Sequence, residues 1–149
     1  MKSLVVSDSG ILIASVLREP LTKHAQELLK HWRENTVQIS APYLLQYEIV
    51  AAIRKNAYRR LITDIEANDM RDRLLGIPVR LFFDTDLLRR AYELSEQLHR
   101  PTAYDAQYLA VAERLECDFW TADEKLYNAA AGQLAWVRWL GHFTPTDKS

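Results

Sequence analysis

Short apolar runs alternate with longer segments of helical periodicity along this chain. Five runs have the length of buried strands and lie at 3–7, 37–41, 79–83, 118–121 and 135–140. Helical periodicity fills most of the remaining sequence, with helices at 10–17 and 21–34 and two more between 42 and 75. Because strands alternate with helices, the pattern predicts a three-layer α/β/α fold with a mainly parallel sheet of about five strands.

Helix-start signals support several of these boundaries. Pro42 suits the first turn of the helix that follows the second strand. Two pairs have the spacing of a capping box, in which a hydroxyl and an acidic side chain bond reciprocally to the helix start: Thr63 with Glu66, and Thr121 with Glu124. These signals predict helices that begin near all three positions.

Length and composition indicate one globular domain. The 149 residues are 48% hydrophobic and 26% charged, so we expect a single domain over 1–149, with 144–149 as a frayed tail. The apolar runs are too short to cross a bilayer and the first residues do not resemble a secretory leader, which predicts a cytoplasmic protein without a membrane partner. Cys117 is the single cysteine, which excludes an intrachain disulfide and a cysteine-based zinc site and suits a half-buried strand residue.

Charge is balanced over the whole chain but uneven locally. The formal net charge of −1 argues against a uniformly basic nucleic-acid-binding protein. Basic residues nevertheless crowd the end of one helix, and others on later helices can extend the cluster: Arg54, Lys55, Arg59, Arg60, Arg71, Arg73, Arg89 and Arg90. Two interpretations remain open, a solvated helix face and a surface that contacts phosphate groups.

Two acidic residues stand at the ends of predicted strands. Asp8 closes the first strand, and Asp123 comes just past the fourth. In open α/β sheets, ligands bind at the carboxyl ends of the strands. We therefore expect the Asp8 and Asp123 carboxylates to lie side by side at this edge of the sheet.

Two further acids interrupt the apolar faces of predicted helices. Glu48 has apolar neighbours three and four positions away, and Asp105 shares its helix face with Tyr108 and Leu109. Both carboxylates are therefore expected to face inward, where acidic side chains are rare unless they are paired or bound to a metal.

Structural roles are also open for three of the four acids. Asp8 and Asp123 each precede a predicted helix and can stabilise its amino end. Asp105 has capping-box spacing from Thr102. Glu48 has no such explanation, because it lies in the middle of a helix.

A pocket of four carboxylates requires a compensating charge. Two unit charges about 4 Å apart repel by roughly 4 kcal/mol at an effective dielectric constant of about 20. The acids therefore need a cation or must take up protons. Oxygen ligands without a cysteine pair or a histidine pair at helical spacing favour Mg²⁺ or Mn²⁺ over Zn²⁺. Such a site suits hydrolysis of a phosphodiester, because the metal activates water and neutralises charge in the transition state.

Four blocks of this sequence together resemble a PIN domain. They are 5–12 (VVSDSGIL), Ala41-Pro42 leading to Glu48, 104–113 (YDAQYLAVAE) and 121–126 (TADEKL). Their order and spacing, across about residues 4–140, are more specific than any single block. Chains of this length in that family are commonly VapC-type toxins, which are metal-dependent endoribonucleases held inactive by a cognate antitoxin.

The resemblance implies a set of site residues. The family's metal-binding and catalytic acids fall on Asp8, Glu48, Asp105 and Asp123. Thr121 and Ser9 match supporting positions beside the last and the first acid. Gly10 departs from the pattern, because many members have Ser or Asn there, which puts one supporting hydrogen bond in doubt but not the metal ligands.

The resemblance also implies partners. These are an RNA substrate, a Mg²⁺ or Mn²⁺ cofactor, a cognate antitoxin protein and a second copy of the chain in a homodimer. Tyr43, Tyr47 and Tyr58 are candidate residues of a dimer interface. Four tryptophans are expected mainly in the core, and they are Trp32, Trp120, Trp136 and Trp139.

Two competing interpretations have some support in the sequence. The segment that ends in Asp84-Thr85-Asp86 resembles the strand and Asp-x-Asp motif of a haloacid dehalogenase-type phosphatase, but too few residues follow for that fold. Asp84 is therefore expected to cap the next helix, with Asp86 in its first turn. The other alternative is a catalytically silent PIN-like module that binds RNA or a protein, which the presence of all four acids disfavours.

Overall fold

Five parallel strands form one sheet in the computed structural model, which describes residues 3–144. They are β1 (Leu4–Ser7), β2 (Gln38–Pro42), β3 (Val79–Phe82), β4 (Asp118–Thr121) and β5 (Val137–Trp139). Their order across the sheet is β3-β2-β1-β4-β5, and every neighbouring pair is parallel. The chain runs outward from β1 to β3 and then returns to the other side of β1, so the direction of strand addition reverses there.

Within residues 3–144, seven α-helices connect the strands, and a short 3-10 helix follows β5. They are α1 (Ser9–Ala14), α2 (Thr22–Glu34), α3 (Leu44–Tyr58), α4 (Asp64–Leu75), α5 (Thr85–Gln97), α6 (Tyr104–Leu115), α7 (Glu124–Ala130) and the 3-10 helix Leu140–His142. Val6 packs into a cluster with residues of α3 to α7, whereas Val5 packs into a second cluster with α2 and the 3-10 helix. Because successive strand residues point to opposite faces, these two clusters confirm the predicted three-layer fold.

Buried side chains anchor α6 against the centre of the sheet. Val6 on β1, Leu109 on α6 and Phe119 on β4 have no exposed surface. Removing a side chain of this size from water stabilises the fold by about 1.5–3 kcal/mol. The packing holds α6 against β1, β2 and β4, so the first turn of this helix has a fixed place relative to the strand ends.

The prediction that Pro42 opens a helix is wrong. Pro42 is the last residue of β2, where it pairs in register with Phe82, and α3 begins at Leu44. A proline tolerates this position because the next residue supplies the ladder hydrogen bond: the Tyr43 N–H donates to the Phe82 carbonyl at 3.1 Å.

One predicted capping box is confirmed and the other is wrong. The Thr63 N–H donates to Glu66 Oε1 at 2.8 Å, and the Glu66 N–H donates to Thr63 Oγ1 at 3.1 Å. Thr121, in contrast, is the last residue of β4, and Asp123 is the residue that caps α7. The hydroxyl of Thr121 is engaged by another side chain at the end of the sheet.

Other expectations about single residues were met in part. Trp32 is buried, whereas Trp120, Trp136 and Trp139 are half-buried. Cys117 is half-buried as predicted, but it lies one residue before β4. The predicted strand at 135–140 is shorter and ends in the 3-10 helix. Residues 145–149 of the predicted tail lie outside the described part of the chain.

None of the helices in residues 3–144 is both long enough and apolar enough to cross a bilayer.

Asp84 has the structural role that the sequence predicts. It caps α5, because its Oδ1 accepts a hydrogen bond from the Leu87 N–H at 2.9 Å. Its Oδ2 also accepts a bond from Arg114 at 2.6 Å, and this guanidinium holds the pKa of the Asp84 carboxyl below its usual value. Asp86 lies in the first turn of α5.

Two substitutions of Asp84 are expected to separate its cap from its ion pair. Asp84→Ala removes both, so it should lower the urea midpoint of unfolding more than Asp84→Asn, which keeps a capping side chain. Equilibrium unfolding followed by circular dichroism measures both variants. Equal losses would show that the ion pair to Arg114, and not the cap, provides the stabilisation.

Candidate active site

The carboxyl ends of β1 and β4 meet at the point where strand order reverses, and two of the predicted acids lie there. Asp8 follows β1, and Asp123 comes two residues after β4. Thr121 joins them: its hydroxyl donates to Asp8 Oδ2 at 2.5 Å and accepts a bond from the Asp123 N–H at 2.9 Å. The structure therefore brings these two acids together at the carboxyl ends of β1 and β4, as predicted from the strand ends.

Asp8 is the most buried of the four acids, with 9% of its surface exposed. Its Oδ1 accepts a bond from the Ile11 N–H at 3.1 Å, which caps α1, and its Oδ2 is 3.3 Å from the Ala122 N–H. Burial raises the pKa of the Asp8 carboxyl to about 7, with the nearby Asp105 charge as a small further cause, although the hydrogen bonds that it accepts oppose the shift. Asp8 is thus both a helix cap and an ionisable group poised near neutral pH.

Asp105 lies in the first turn of α6, half-buried. Burial and the charge of Asp123 raise the pKa of the Asp105 carboxyl, and Arg100 opposes this shift with Nη2 at 3.5 Å from Oδ2. The predicted capping-box partnership with Thr102 is wrong. Ala103 is the N-cap residue and makes no side-chain bond, so the helix begins one residue too late for that spacing.

Glu48 lies on α3, half-buried, and two hydroxyl groups hold its carboxylate. Ser9 Oγ donates to Glu48 Oε1 at 2.9 Å, and Tyr108 Oη donates to the same oxygen at 2.6 Å. From the sequence, Tyr108 was expected only to be part of an apolar helix face. A usable signal was present, because a buried tyrosine hydroxyl requires a partner, and this one lies on the same helix face as Asp105.

All four acids therefore lie at one edge of the sheet, but with different exposure. Asp8 is buried, Glu48 and Asp105 are half-buried, and Asp123 is exposed. Asp123 Oδ1 is engaged by its own helix, accepting bonds from the N–H groups of Lys125 at 2.9 Å and Leu126 at 3.2 Å. The acids at strand ends and on helix faces lie near one another, whereas the inward position expected of Glu48 and Asp105 is reached only in part, because both side chains are half-buried.

The donor chemistry of this cluster fits a hard divalent cation. Its charged ligands are carboxylates, and burial raises the pKa of Asp8 and Asp105, so a nearby cation would favour their ionised forms. Within residues 3–144, however, no three His, Cys, Asp or Glu side chains form a closed ligand set as they stand. The Glu48 and Asp123 carboxylates instead accept hydrogen bonds, from Ser9 and from the Lys125 N–H respectively.

Gly10 occupies a narrow space beside Asp8. A Cβ atom at this position would lie 3.1 Å from the Cβ of Ala122 and 3.3 Å from Asp8 Oδ1. Both contacts are closer than a side chain normally makes with its neighbours. The departure from Ser or Asn at this position is therefore matched by a close approach of α1 to the segment after β4.

Part of the predicted basic surface lies on α3, beyond Glu48. Arg54, Lys55, Arg59 and Arg60 are exposed on the last part of α3 and just after it, starting about 9 Å from Glu48 along the helix axis at ~1.5 Å per residue. The residues expected to extend this surface are paired with acids: Arg71 with Asp72, Arg73 with Asp69, Arg89 with Asp86, and Arg90 with Glu113. Among residues 3–144, Arg100 is the basic side chain that contacts one of the four acids, Asp105.

Sequence comparison identifies the family of this chain. The profile of the PIN domain matches residues 5–132, and this chain belongs to the PIN domain family. That membership replaces the phosphatase interpretation of the segment around Asp84.

Several curated relatives are named as VapC ribonucleases. Ribonuclease VapC12 of Mycobacterium tuberculosis is 30% identical over 123 residues, which are 83% of this chain and 89% of the relative. A VapC ribonuclease of Mycobacterium bovis is 26% identical over 130 residues, 87% of this chain and 94% of the relative. Ribonuclease VapC3 of Pyrobaculum aerophilum is 26% identical over 125 residues, 82% of this chain and 91% of the relative.

Two solved structures share the fold. A crystal structure of a Pyrobaculum aerophilum protein has a TM-score of 0.62 and 24% identity, covering 89% of this chain and 90% of its own. A chain of a toxin-antitoxin complex from Klebsiella pneumoniae has a TM-score of 0.62 and 19% identity, covering 97% of this chain and 99% of its own. These structures confirm the predicted fold class.

Proposed function

We propose that this protein is a metal-dependent endoribonuclease that hydrolyses RNA phosphodiester bonds and acts as the toxin of a toxin-antitoxin pair. The observation that carries the proposal is the convergence of Asp8, Glu48, Asp105 and Asp123 on the carboxyl edge of β1 and β4, in a member of the PIN domain family. The names of the VapC ribonuclease relatives support the RNA substrate.

Asp8, Asp105 and Asp123 are proposed to hold one Mg²⁺ or Mn²⁺, directly or through water, and Glu48 to orient a bound water or help bind a second ion. When bound, the ion supplies two effects: it lowers the pKa of a coordinated water, and it neutralises charge on the phosphate. Asp8 and Asp105 favour this role because burial makes their ionised forms depend on a nearby positive charge.

Other side chains of the chain have proposed supporting tasks. Thr121 keeps Asp8 turned toward Asp123 through its hydroxyl, and Ser9 holds Glu48. Attack in line with the leaving oxygen would leave a 5′-phosphate and a 3′-hydroxyl. Exposed basic residues at the end of α3 would attract the RNA from a distance, since electrostatic attraction between basic side chains and phosphates steers association.

The proposal includes partners and a place of action. A cognate antitoxin would hold the nuclease inactive, and the name of the Klebsiella pneumoniae toxin-antitoxin complex supports a partner of this kind. A homodimer is proposed through Tyr43, Tyr47 and Tyr58, which are exposed on or beside α3. The whole chain would act as one nuclease domain in the cytoplasm.

Incubating the purified protein with total cellular RNA and Mn²⁺ tests the proposed reaction. We expect discrete new 5′ ends, mapped by sequencing, that disappear when EDTA is added. If folded protein free of antitoxin gives no such ends, a silent module that binds RNA or protein becomes the better interpretation.

A further inference from the structure

We infer that Tyr108 and Ser9 are positioning residues for Glu48. Both bind one oxygen of its carboxylate, which leaves the other oxygen for the ion or its water. Both hydroxyl groups donate to Oε1 of Glu48, at 2.6 Å from Tyr108 and 2.9 Å from Ser9. Among residues 3–144, no donor reaches Oε2. This inference rests on the proposed function, because it assigns a working oxygen to one of its four acids.

The hydroxyl of Tyr108 is held by the protein core. Tyr108 is 1% exposed, and its ring stacks on Phe119 of β4 with centroids 5.9 Å apart and planes 24° apart. A buried ring in such contact has few alternative positions. The donor that points at Glu48 is therefore fixed by the packing of α6 on the sheet, and not by a mobile surface side chain.

The Tyr108 hydroxyl is the donor in its bond to Glu48, at 2.6 Å. A carboxylate oxygen only accepts hydrogen bonds, so the proton of this bond belongs to the tyrosine. The bond thus favours one orientation of the charged Glu48 side chain.

The two donors connect Glu48 to the elements that carry two of the other acids, Asp8 and Asp105. Ser9 directly follows Asp8 and begins α1, whereas Tyr108 lies about one turn after Asp105 on α6. A shift of either element would change a hydrogen bond to Glu48. Since ligand orientation depends on groups that hydrogen-bond to the ligands, these two hydroxyls would set the position of Glu48 relative to Asp8 and Asp105.

Tyr108→Phe is the decisive substitution, because it removes one oxygen and keeps the ring that stacks on Phe119. Loss of a group that orients a metal ligand typically reduces metal affinity or activity by about 10–100-fold. We expect Mn²⁺ affinity, measured by titration calorimetry, and kcat for RNA cleavage to fall within that range. KM for RNA should change little, since the Tyr108 side chain is buried and its hydroxyl is not exposed to the RNA.

Three further variants make the comparison specific. Tyr92→Phe is the matched control, because Tyr92 is 66% exposed on α5, and it should bind Mn²⁺ and cleave RNA like the unmodified protein. Ser9→Ala should weaken Mn²⁺ binding, and Ser9→Thr should restore it because the hydroxyl returns. The Ser9 pair also carries the test if Tyr108→Phe does not fold.

Each result has a distinct meaning. Folded Tyr108→Phe and Ser9→Ala proteins with unchanged Mn²⁺ affinity and unchanged kcat would overturn the inference while leaving the proposed function intact. A loss of thermal stability without any loss of Mn²⁺ affinity would also overturn it, since that outcome indicates a purely structural role. An unmodified protein that neither binds Mn²⁺ nor cuts RNA would overturn the proposed function, and the inference with it.

Discussion

Asp105→Asn is expected to reduce RNA cleavage by at least about 100-fold while the protein remains folded. Losing a group that merely orients a metal ligand already costs roughly 10–100-fold, so losing a ligand should cost no less. Within residues 3–144, the Asp105 side chain has one polar contact, the 3.5 Å approach of Arg100, so its carboxylate is the least engaged of the four. Rates of cleavage of a defined RNA in Mn²⁺ measure the effect.

The fold should survive this substitution because Asp105 does not cap α6, and burial disfavours its charged form. Asp86→Asn is a suitable control: Asp86 is exposed in the first turn of α5, and its ion pair in the described part of the chain is with Arg89 at 2.8 Å. This control should cleave at the wild-type rate. Wild-type cleavage by the Asp105→Asn protein would remove Asp105 from the proposed mechanism.

Asp8→Asn is expected to abolish cleavage and yet stabilise the metal-free protein at pH 8. Burial raises the folded-state pKa of Asp8 to about 7 from 3.8, so its ionised form destabilises the fold by up to about 4 kcal/mol. Asparagine carries no charge but loses part of the bonding to Thr121 and Ala122. A net gain of about 1–3 kcal/mol is therefore expected at pH 8.

The direction of the pH dependence follows from the raised pKa. Because the folded protein binds the Asp8 proton more tightly than the unfolded chain, stability contributed by Asp8 is fully present below about pH 4 and is lost as pH rises through about 7. The advantage of Asp8→Asn should therefore shrink between pH 8 and pH 5. Urea unfolding in EDTA at both pH values measures it.

A second acid and an added ion provide the controls for this prediction. Asp123 is exposed and caps α7, and asparagine also caps helices, so Asp123→Asn should give no pH-dependent gain. Mn²⁺ at pH 8 should stabilise the wild type more than Asp8→Asn, because the proposed ion site of the folded state includes Asp8. A pH-independent difference between wild type and Asp8→Asn would show that Asp8 is ionised in both states at neutral pH.

The order of elements was predictable because apolar periodicity and turn residues act locally. Apolar runs marked all five strands, and the confirmed Thr63 and Glu66 box marked the start of α4. The errors occurred where a residue has two compatible roles. Pro42 can open a helix or end a strand, and the choice depended on the ladder bond that Tyr43 makes to the neighbouring strand.

Candidate site residues were predictable to the extent that charge in an apolar pattern is unusual. Glu48 and Asp105 were selected in this way, whereas Asp8 and Asp123 were selected by their position at strand ends; the metal-binding role of all four stays a prediction. Arg100 was not selected, because an arginine in a polar loop is ordinary until its contact with an acid is known.

The sequence by itself determined the α/β class, the succession of strands and helices, and the four candidate acids at strand ends and on apolar helix faces, because each of these depends on neighbours within a few positions. Only the tertiary structure decided that Thr121 bridges Asp8 to Asp123, and that Tyr108 and Ser9 share one oxygen of Glu48. The bonds to Glu48 and the bond from Thr121 to Asp8 join residues 39 to 113 positions apart. Pairing over such distances is set by the order in which strands join the sheet and by how helices pack on it, and local sequence does not encode either.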